Sequence, residues 1–409
     1  MQQAEIIPHL FRTEYRKIVS VLCKRFGAGH IETAEDIASD TFLTASQVWA
    51  LHGVPSNAVA WLYRVAQNKA HNYLRRHRLF ETKISPELKH SLPSNTDMDI
   101  DLSPKNINDS QLQMMFAICH PSIPPESQIG LSLRILCGFG IEEIANAFLT
   151  NKETINKRLF RAREKLREEK ISIELPAEAD IQKRLDAVLT TIYLLFSEGY
   201  YSESQHTVIR RDLCSEAIRL CHMLIENQNT NTPEANALLS LMCFHASRFD
   251  ARVDKNGEPV LYDDQDTSLW DSDLISKGAY FLNCSARGNH LSRYHLEAAI
   301  AYWNTQKEDT REKWEQILQL YNQLLQLEYS PIAALNRTYA LARANGKQQA
   351  IAEAEKLKLH NNHYYYMLLG ELYTETDTAT ARMHFAKAMT MARTAYDKKT
   401  IQSKLDKLR

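Results

Sequence analysis

Glycine and proline are scarce in this sequence, at 12 residues each among 409. Such scarcity argues against turn-rich β architectures and favours helices, for which Ala, Leu, Glu, Lys and Gln are plentiful. Cysteine is sparse as well, with seven residues, an odd number, and no CxxC pair. That usage excludes a disulfide framework and points to a reducing compartment. No apolar run approaches the roughly 20 residues needed to cross a bilayer. The opening "MQQAEIIPHLFRTEYRK" reaches charged residues too soon to hold an apolar signal core. The expectation is a cytoplasmic protein with no membrane partner. Net charge is nearly absent too, at −1, although basic segments stand in an acidic background.

Chemistry-bearing motifs are missing in the same way. No Walker motif, nucleotide fingerprint or hydrolase elbow occurs, so an enzyme is not expected and neither is a cofactor. "CHPSIPP" (119–125) and "CHMLIE" (221–226) have no second pair at zinc spacing, and helical patterns would bury their cysteines. "RVDKNGEPVLYD" (252–263) has Arg252 at the first ligand position of a calcium loop and Asp263 at the last. Calcium is rejected there, and a turn at Lys255-Asn256-Gly257 is the simpler account. "FSEGYY" (196–201) reads as a helix end capped by Gly199, with a small-molecule pocket near Glu198 as the alternative.

What is present is helical periodicity over a chain long enough for two to four domains. Residues 1–80 hold three helical patterns, the first with Leu10, Tyr15, Ile18, Val19, Leu22 and Phe26 on one side. "HGVPSN" (52–57) is a loop between the second and third. Residues 81–110, polar, acidic and punctuated by proline, read as a flexible linker. From 111 to 172 helices resume, and from 173 to 409 the chain is again helix-rich. There "ALNRTYA" (334–340) and "LLGELYT" (368–374) align at an offset of 34, pairing Leu335, Asn336 and Tyr339 with Leu369, Gly370 and Tyr373. That offset suggests tetratricopeptide-like helix pairs, with Ala350 and Ala381 in the second helices only 31 apart. The expected fold is all-α, with two small helical domains followed by a helical solenoid.

Two stretches suit nucleic acid. "IEEIANAF" (141–148), a short break and "ETINKRLFRAREKLREE" (153–169) form a helix-turn-helix pattern, the second helix striped by Ile155, Leu159, Ala162 and Leu166. Seven basic residues lie in 152–167 against Glu153 and Glu164. Lys152, Glu153, Thr154, Asn156, Lys157, Arg158 and Arg161 are the candidates for a major groove, some reaching bases and some phosphates. A solvated basic helix is the plainer alternative. In "WLYRVAQNKAHNYLRRHR" (61–78), Leu62, Val65, Ala66 and Tyr73 supply a buried face and leave Arg64, Asn68, Asn72, Arg75 and Arg76 outside. Asparagine pairs with base edges, arginine with phosphate, and Trp61 or Tyr73 can stack on an unpaired base or sit in the core.

"AEDIASDTFLTASQVW" (34–49) followed by "WLYRVAQNKAHNYLRR" (61–76) resembles the promoter-melting domain of bacterial extracytoplasmic-function (ECF, group IV) sigma factors of the sigma-70 family. "IEEIANAFLTNKETINKRLFRAREKLRE" (141–168) is similar to their C-terminal helix-turn-helix. "FAICHPSIPPESQIGLSLRILCGFG" (116–140), "IYLLFSEGYY" (192–201), "RRDLCSEAIRL" (210–220) and "YDDQDTSLWD" (262–271) resemble the subgroup with a tetratricopeptide-like extension, often encoded beside small YCII-type (DGPF) proteins.

This resemblance implies a sigma factor that binds core RNA polymerase through the β′ clamp coiled coil and the β flap, and promoter DNA. Asp36, Ser39, Asp40 and Phe42 match the clamp-binding segment, with Ser39 standing where many relatives carry a longer-reaching glutamine. Ser56 and Asn57 match the loop that captures a flipped −10 base. Trp61, Arg64, Asn68, Asn72, Tyr73, Arg75 and Arg76 match the −10 surface, and the basic helix the −35 reader. The extension is expected to modulate activity, through an intramolecular contact or a regulatory protein partner. A DNA-binding regulator with a tetratricopeptide-like sensor is the alternative, and a helical scaffold a third.

Overall fold

The computed structural model describes residues 3–84, 100–148, 150–200, 210–255, 260–392 and 395–408. Among these residues the regular elements are eighteen α-helices and a few short helical turns, with no strand. The chain divides into two compact units, Met1–Leu195 and Phe196–Arg409.

In the first unit, α1 (Gln3–Phe26), α2 (Ile31–His52) and α3 (Ala58–Ile84) pack together. Tyr15, Ile18, Val19 and Leu22 of α1 are fully buried, as the periodicity predicts. Ile31, Ala34, Ala38 and Phe42 of α2 and Leu62, Ala66 and Ala70 of α3 are buried as well. Each large side chain so enclosed contributes on the order of 1.5–3 kcal/mol of transfer free energy. The remaining helices of this unit are α4 (Pro104–Ile118), α5 (Pro125–Leu131), α6 (Ile141–Ala147), α7 (Lys152–Glu168) and the first part of α8 (Glu178–Tyr200).

The linker expected over 81–110 is shorter than its composition suggests. Helix α3 runs on to Ile84, and α4 starts at Pro104 with Ser103 as its N-cap, accepting from Asn106 N. A capping serine before a proline at the first helical position is a strong start signal. The polar run beyond it hides Ile107, Ser110, Gln111 and Leu112, all buried, in a helix that packs on α1. Residues 85–99 of that stretch lie outside the described residues.

The second unit continues from α8 through α9 (Arg211–Glu226), α10 (Pro233–Ala246), α11 (Ser272–Ser285), α12 (Arg293–Trp303) and α13 (Arg311–Leu327). It ends with α14 (Pro331–Asn345), α15 (Lys347–Leu357), α16 (His363–Tyr373), α17 (Thr378–Met391) and α18 (Ala395–Lys407). From α11 on, each helix packs on its successor, the one-dimensional stacking of a solenoid. The two copies of the repeat agree only in part, since Asn336 is exposed where its aligned Gly370 is buried. Leu335 and Leu369 are buried, and Ala350 and Ala381 are fully enclosed. The turn expected at Lys255-Asn256-Gly257 falls largely outside the described residues, flanked by Val260 N donating to Arg252 O at 2.8 Å.

Gly199 is not the helix cap expected from sequence. It lies inside α8, where a Cβ would sit 2.8 Å from Cys214 Sγ and 2.9 Å from Arg210 O. The residue is there because α9 approaches too closely for any side chain. Gly199→Ala is therefore expected to cost the full chain about 1–3 kcal/mol by overpacking. Thermal unfolding checks this, and an unchanged midpoint would show that α9 can shift freely.

Candidate nucleic-acid interface

Helix α3 starts where Asn57 accepts the Ala60 amide on Oδ1 at 2.9 Å. Its burial pattern then repeats every turn. Leu62, Ala66 and Ala70 face the core, while Arg64, Asn68, Asn72, Arg75 and Arg76 are exposed. The five lie along one stripe because steps of three and four residues keep side chains on the same helical face. Arg75 donates to Asn72 Oδ1 at 3.4 Å, so neighbours within the stripe touch. Two cations, two carboxamides and a further arginine on a solvent face can bind phosphates and read base edges.

Beside the start of this stripe is an open cleft of about 660 Å³, within the range of small-ligand pockets. Ser56, Asn57, Trp61 and Arg64 line it, together with Gln67 and Tyr63. The two aromatics considered at 61 and 73 part company here. Trp61 is half-buried, set edge-on to the buried Trp49 at 5.3 Å, and presents its remaining surface to the cleft. Tyr73 packs at 5.3 Å from the Phe26 ring, and its hydroxyl meets His30 Nδ1 at 3.2 Å. Tyr73 thus anchors α3 to the start of α2 and is not presented as a stacking platform.

The opposite wall of the cleft was not legible in the sequence. Ile100, Asp101, Leu102 and Ser103 form it, with Gln67 Nε2 donating to Ile100 O at 2.7 Å. The signal available was a pair of apolar residues inside an acidic run. Tyr63 lies below, its hydroxyl donating to Glu14 Oε2 at 2.6 Å. Burial and that carboxylate push its pKa up.

On α2, Asp36, Ser39 and Asp40 are exposed along one side. Asp40 pairs with Lys69 of α3 at 2.5 Å. Phe42 is different. It is buried against Phe11, 5.1 Å between ring centres, and Tyr15. As an aromatic at a core position it supports the acidic face from beneath and is not offered to a partner. Tyr15 is itself pushed up to about 12, by burial first and by Glu35 second.

The helix-turn-helix is formed by α6 and α7. Asn151 caps α7 by accepting the Thr154 amide at 2.8 Å, and Ile155, Leu159, Ala162 and Leu166 are all buried. Lys152, Glu153, Thr154, Asn156, Lys157 and Arg161 are exposed on the N-terminal part of α7. Lys152 leans on Glu142 at 2.9 Å, and Arg158 is tied down by Glu126 at 2.8 Å. Sequence reasoning missed Phe160, which is 55% exposed on the face shared by Asn156 and Lys157. The core stripe is complete without it, which was the available signal. An exposed phenyl ring is an apolar surface of the kind that can contact a thymine methyl in a major groove.

Among the described residues no group of three or more metal-ligating side chains is found. No helix there is long and apolar enough to cross a membrane. Cys119 and Cys221, at the two rejected motifs, are buried, and burial pushes both thiols up.

Comparison with known proteins places these elements. Residues 10–80 match sigma-70 region 2, which spans the three-helix core with its acidic face and α3 stripe. Residues 184–286 match a family of unknown function, DUF6596. An uncharacterized protein of Rhizobium meliloti is 33% identical over 93% of this chain and 90% of its own length. The RNA polymerase sigma factor YlaC of Bacillus subtilis is 28% identical over 41% of this chain and 93% of its own. The ECF RNA polymerase sigma-E factor of Escherichia coli is 26% identical over 36% of this chain and 78% of its own. No solved structure matches significantly. With region 2 matched on its first three helices, ECF sigma factors among its relatives and a long helical extension shared with the Rhizobium protein, the chain belongs to the sigma-70 family, in the ECF group.

Proposed function

We propose that this protein is an RNA polymerase sigma factor that selects promoters and opens them. The observation that carries the reading is the pairing, within the region 2 match, of an acidic face on α2 with a cationic and carboxamide stripe on α3 beside an open cleft. A duplex-binding regulator has no use for that pair. In this reading Asp36, Ser39 and Asp40 dock on the polymerase clamp. The cleft at Ser56, Asn57 and Trp61 takes an extruded −10 base, and Arg64, Asn68, Asn72, Arg75 and Arg76 hold the separated strand. Extruding a base costs a few kcal/mol of stacking, which contacts in a pocket offset. The exposed face of α7, with Phe160 added, reads the −35 element. The mechanism is binding, and the polymerase performs the chemistry.

Run-off transcription with core polymerase over a set of promoter fragments tests this. Discrete transcripts should require both components and fall to background in the Asp36→Ala/Asp40→Ala protein. Binding of duplex DNA without any transcript would favour the regulator instead.

The solenoid is proposed to modulate promoter opening through a regulatory partner or an intramolecular contact. A truncation that tests this must respect α8, whose first part belongs to the first unit. Arg184 donates to Phe116 O at 2.5 Å, and Thr191 donates to Gln128 Oε1 at 2.9 Å. A chain ending at Tyr200 should differ from the full chain in transcript level or promoter choice, and identity in both would count against modulation.

A further inference from the structure

The stretch "YDDQDTSLWD" (262–271) plays no part in the proposed DNA and polymerase contacts, yet it encloses a buried arginine. Its two aromatic rings stand against the guanidinium of Arg248, just past the end of α10, at 5.4 Å for Tyr262 and 5.9 Å for Trp270. Arg248 is 8% exposed, and its Nε is buried with no hydrogen-bond partner. Trp270 Nε1 is a second buried donor without a partner. The stretch carries four aspartates, yet among the described residues none pairs with Arg248. Asp266 accepts from Ser268 N at 2.9 Å and Asp271 from Leu274 N at 2.9 Å, capping the segments that follow, while Asp263 and Asp264 are exposed.

More positive charge gathers at the same ring. Lys307 Nζ and Lys313 Nζ lie 5.0 and 5.3 Å from the centre of Tyr262. Lys307 is fully used by the backbone, donating to Tyr262 O, Asp263 O and Gln265 O at 2.7, 3.1 and 3.3 Å. Lys313, 2% exposed, donates to Tyr262 Oη at 3.1 Å and to Gln306 O. An ammonium has three donors, so one remains. Arg343 adds a fourth cation, which Asp309 pairs, and Asp309 also accepts from Trp314 Nε1. Both of its oxygens are thereby engaged. Burial, opposed by Asp309 and reinforced by Arg343, Lys307 and Arg248, lowers the pKa of Lys313.

Cation–π contacts offset only part of the cost of taking a guanidinium out of water, and like charges nearby raise that cost. An anion at Arg248 would supply the acceptors these donors lack and reduce the repulsion among the cations. Cations so deeply set do not meet a DNA backbone or a broad protein surface, whereas a compact group can reach them. We propose that Arg248, with Lys313 and Trp270, forms a binding site for a small oxyanion, a carboxylate or phosphate compound. Either group presents the several oxygens that a guanidinium fork and an ammonium recognise. Such binding does not depend on the chain being a sigma factor.

The test titrates full-length protein with inorganic phosphate and, separately, with succinate at constant ionic strength, following tryptophan fluorescence and thermal unfolding. At least one should bind saturably, and at about a hundred times its dissociation constant should raise the unfolding midpoint by roughly 5 °C or more. The anion that saturates identifies the group. Phosphate stabilises folded chains generally by exclusion from their surfaces, so the comparison with variants carries the result. Arg248→Met should weaken binding on the order of tenfold to a hundredfold, the usual worth of hydrogen bonds to a charged group, and abolish the shift in midpoint. Arg311→Gln, which removes an exposed cation from the start of α13, should change neither. Trp270→Phe keeps an aromatic ring, removes the N–H and should weaken binding with the fold intact. Absence of saturable binding by either anion overturns the proposal, as does binding that Arg248→Met leaves unchanged. Should Arg248→Met fail to fold, Trp270→Phe decides, and wild-type affinity in that protein also overturns the site. A purely structural Arg248 would instead give a lower midpoint for Arg248→Met and no dependence on either anion in the wild type.

Discussion

Replacing Asn68 and Asn72 together by alanine is expected to lower promoter opening by at least roughly thirtyfold while the fold stays intact. Both carboxamides are exposed on α3, so their removal should change stability by no more than about 0.5 kcal/mol. A bidentate asparagine contact to a base edge is worth about 1–3 kcal/mol. Removing two such pairings, each at the low end, costs about 2 kcal/mol, or close to thirtyfold at about 1.36 kcal/mol per decade. Permanganate reactivity of unpaired thymines around the start site measures the opening, with thermal unfolding as the control. Asn68 and Asn72 are better probes than Trp61, which also packs against Trp49 and would mix a folding cost into the result. Unchanged permanganate reactivity would remove the α3 stripe from the proposed strand-binding surface, whatever the chain does with polymerase.

The α7 stripe shows what periodicity can deliver. Ile155, Leu159, Ala162 and Leu166 are spaced to one helical face, and all four are buried. The same reasoning exposed the Arg64–Arg76 stripe. Spacing tells which face is dry, because that depends on the helix repeat alone. It does not tell which partner covers the face or how closely. Phe42 and Asp40 lie in one motif, yet only tertiary packing decides that Phe42 faces Phe11 while Asp40 faces Lys69. Gly199 read as a cap because local sequence does not record how closely α9 approaches. The start of α4 was hidden in a polar run, where the buried Ser110 looks solvated in sequence. The contacts of Glu35 with Arg134 and Arg163 were least legible of all. They join residues 99 and 128 positions apart, and every one of those residues is charged, so hydrophobic patterning places each of them on the surface.

Leu159→Ala is expected to have the larger effect on stability, and it separates the integrity of α7 from its DNA contacts. Leu159 is 1% exposed and lies so close to α5 that a Cβ on Gly130 would be 3.3 Å from its Cδ2. Truncation there removes buried methyl groups and leaves a cavity between two helices with little freedom to collapse. The cost should be about 2–5 kcal/mol, a large share of the roughly 5–15 kcal/mol that stabilises an ordinary domain. Urea unfolding of the full chain should show it, and −35 duplex binding should fall with it as α7 loosens. Arg161→Ala provides the contrast. Arg161 is exposed on the same helix, so its loss should weaken DNA binding, flatten its salt dependence by about one unit of slope, and leave unfolding unchanged. A Leu159→Ala protein destabilised by less than about 1 kcal/mol would mean that α5 closes over the gap, since deleting buried methyl groups from a site that cannot relax costs more than that. In that case α7 would owe its position chiefly to the polar contacts of Arg163 and Arg167 with Glu35 and Gly29. The two variants therefore separate the folding of α7 from the DNA contacts proposed for its exposed face.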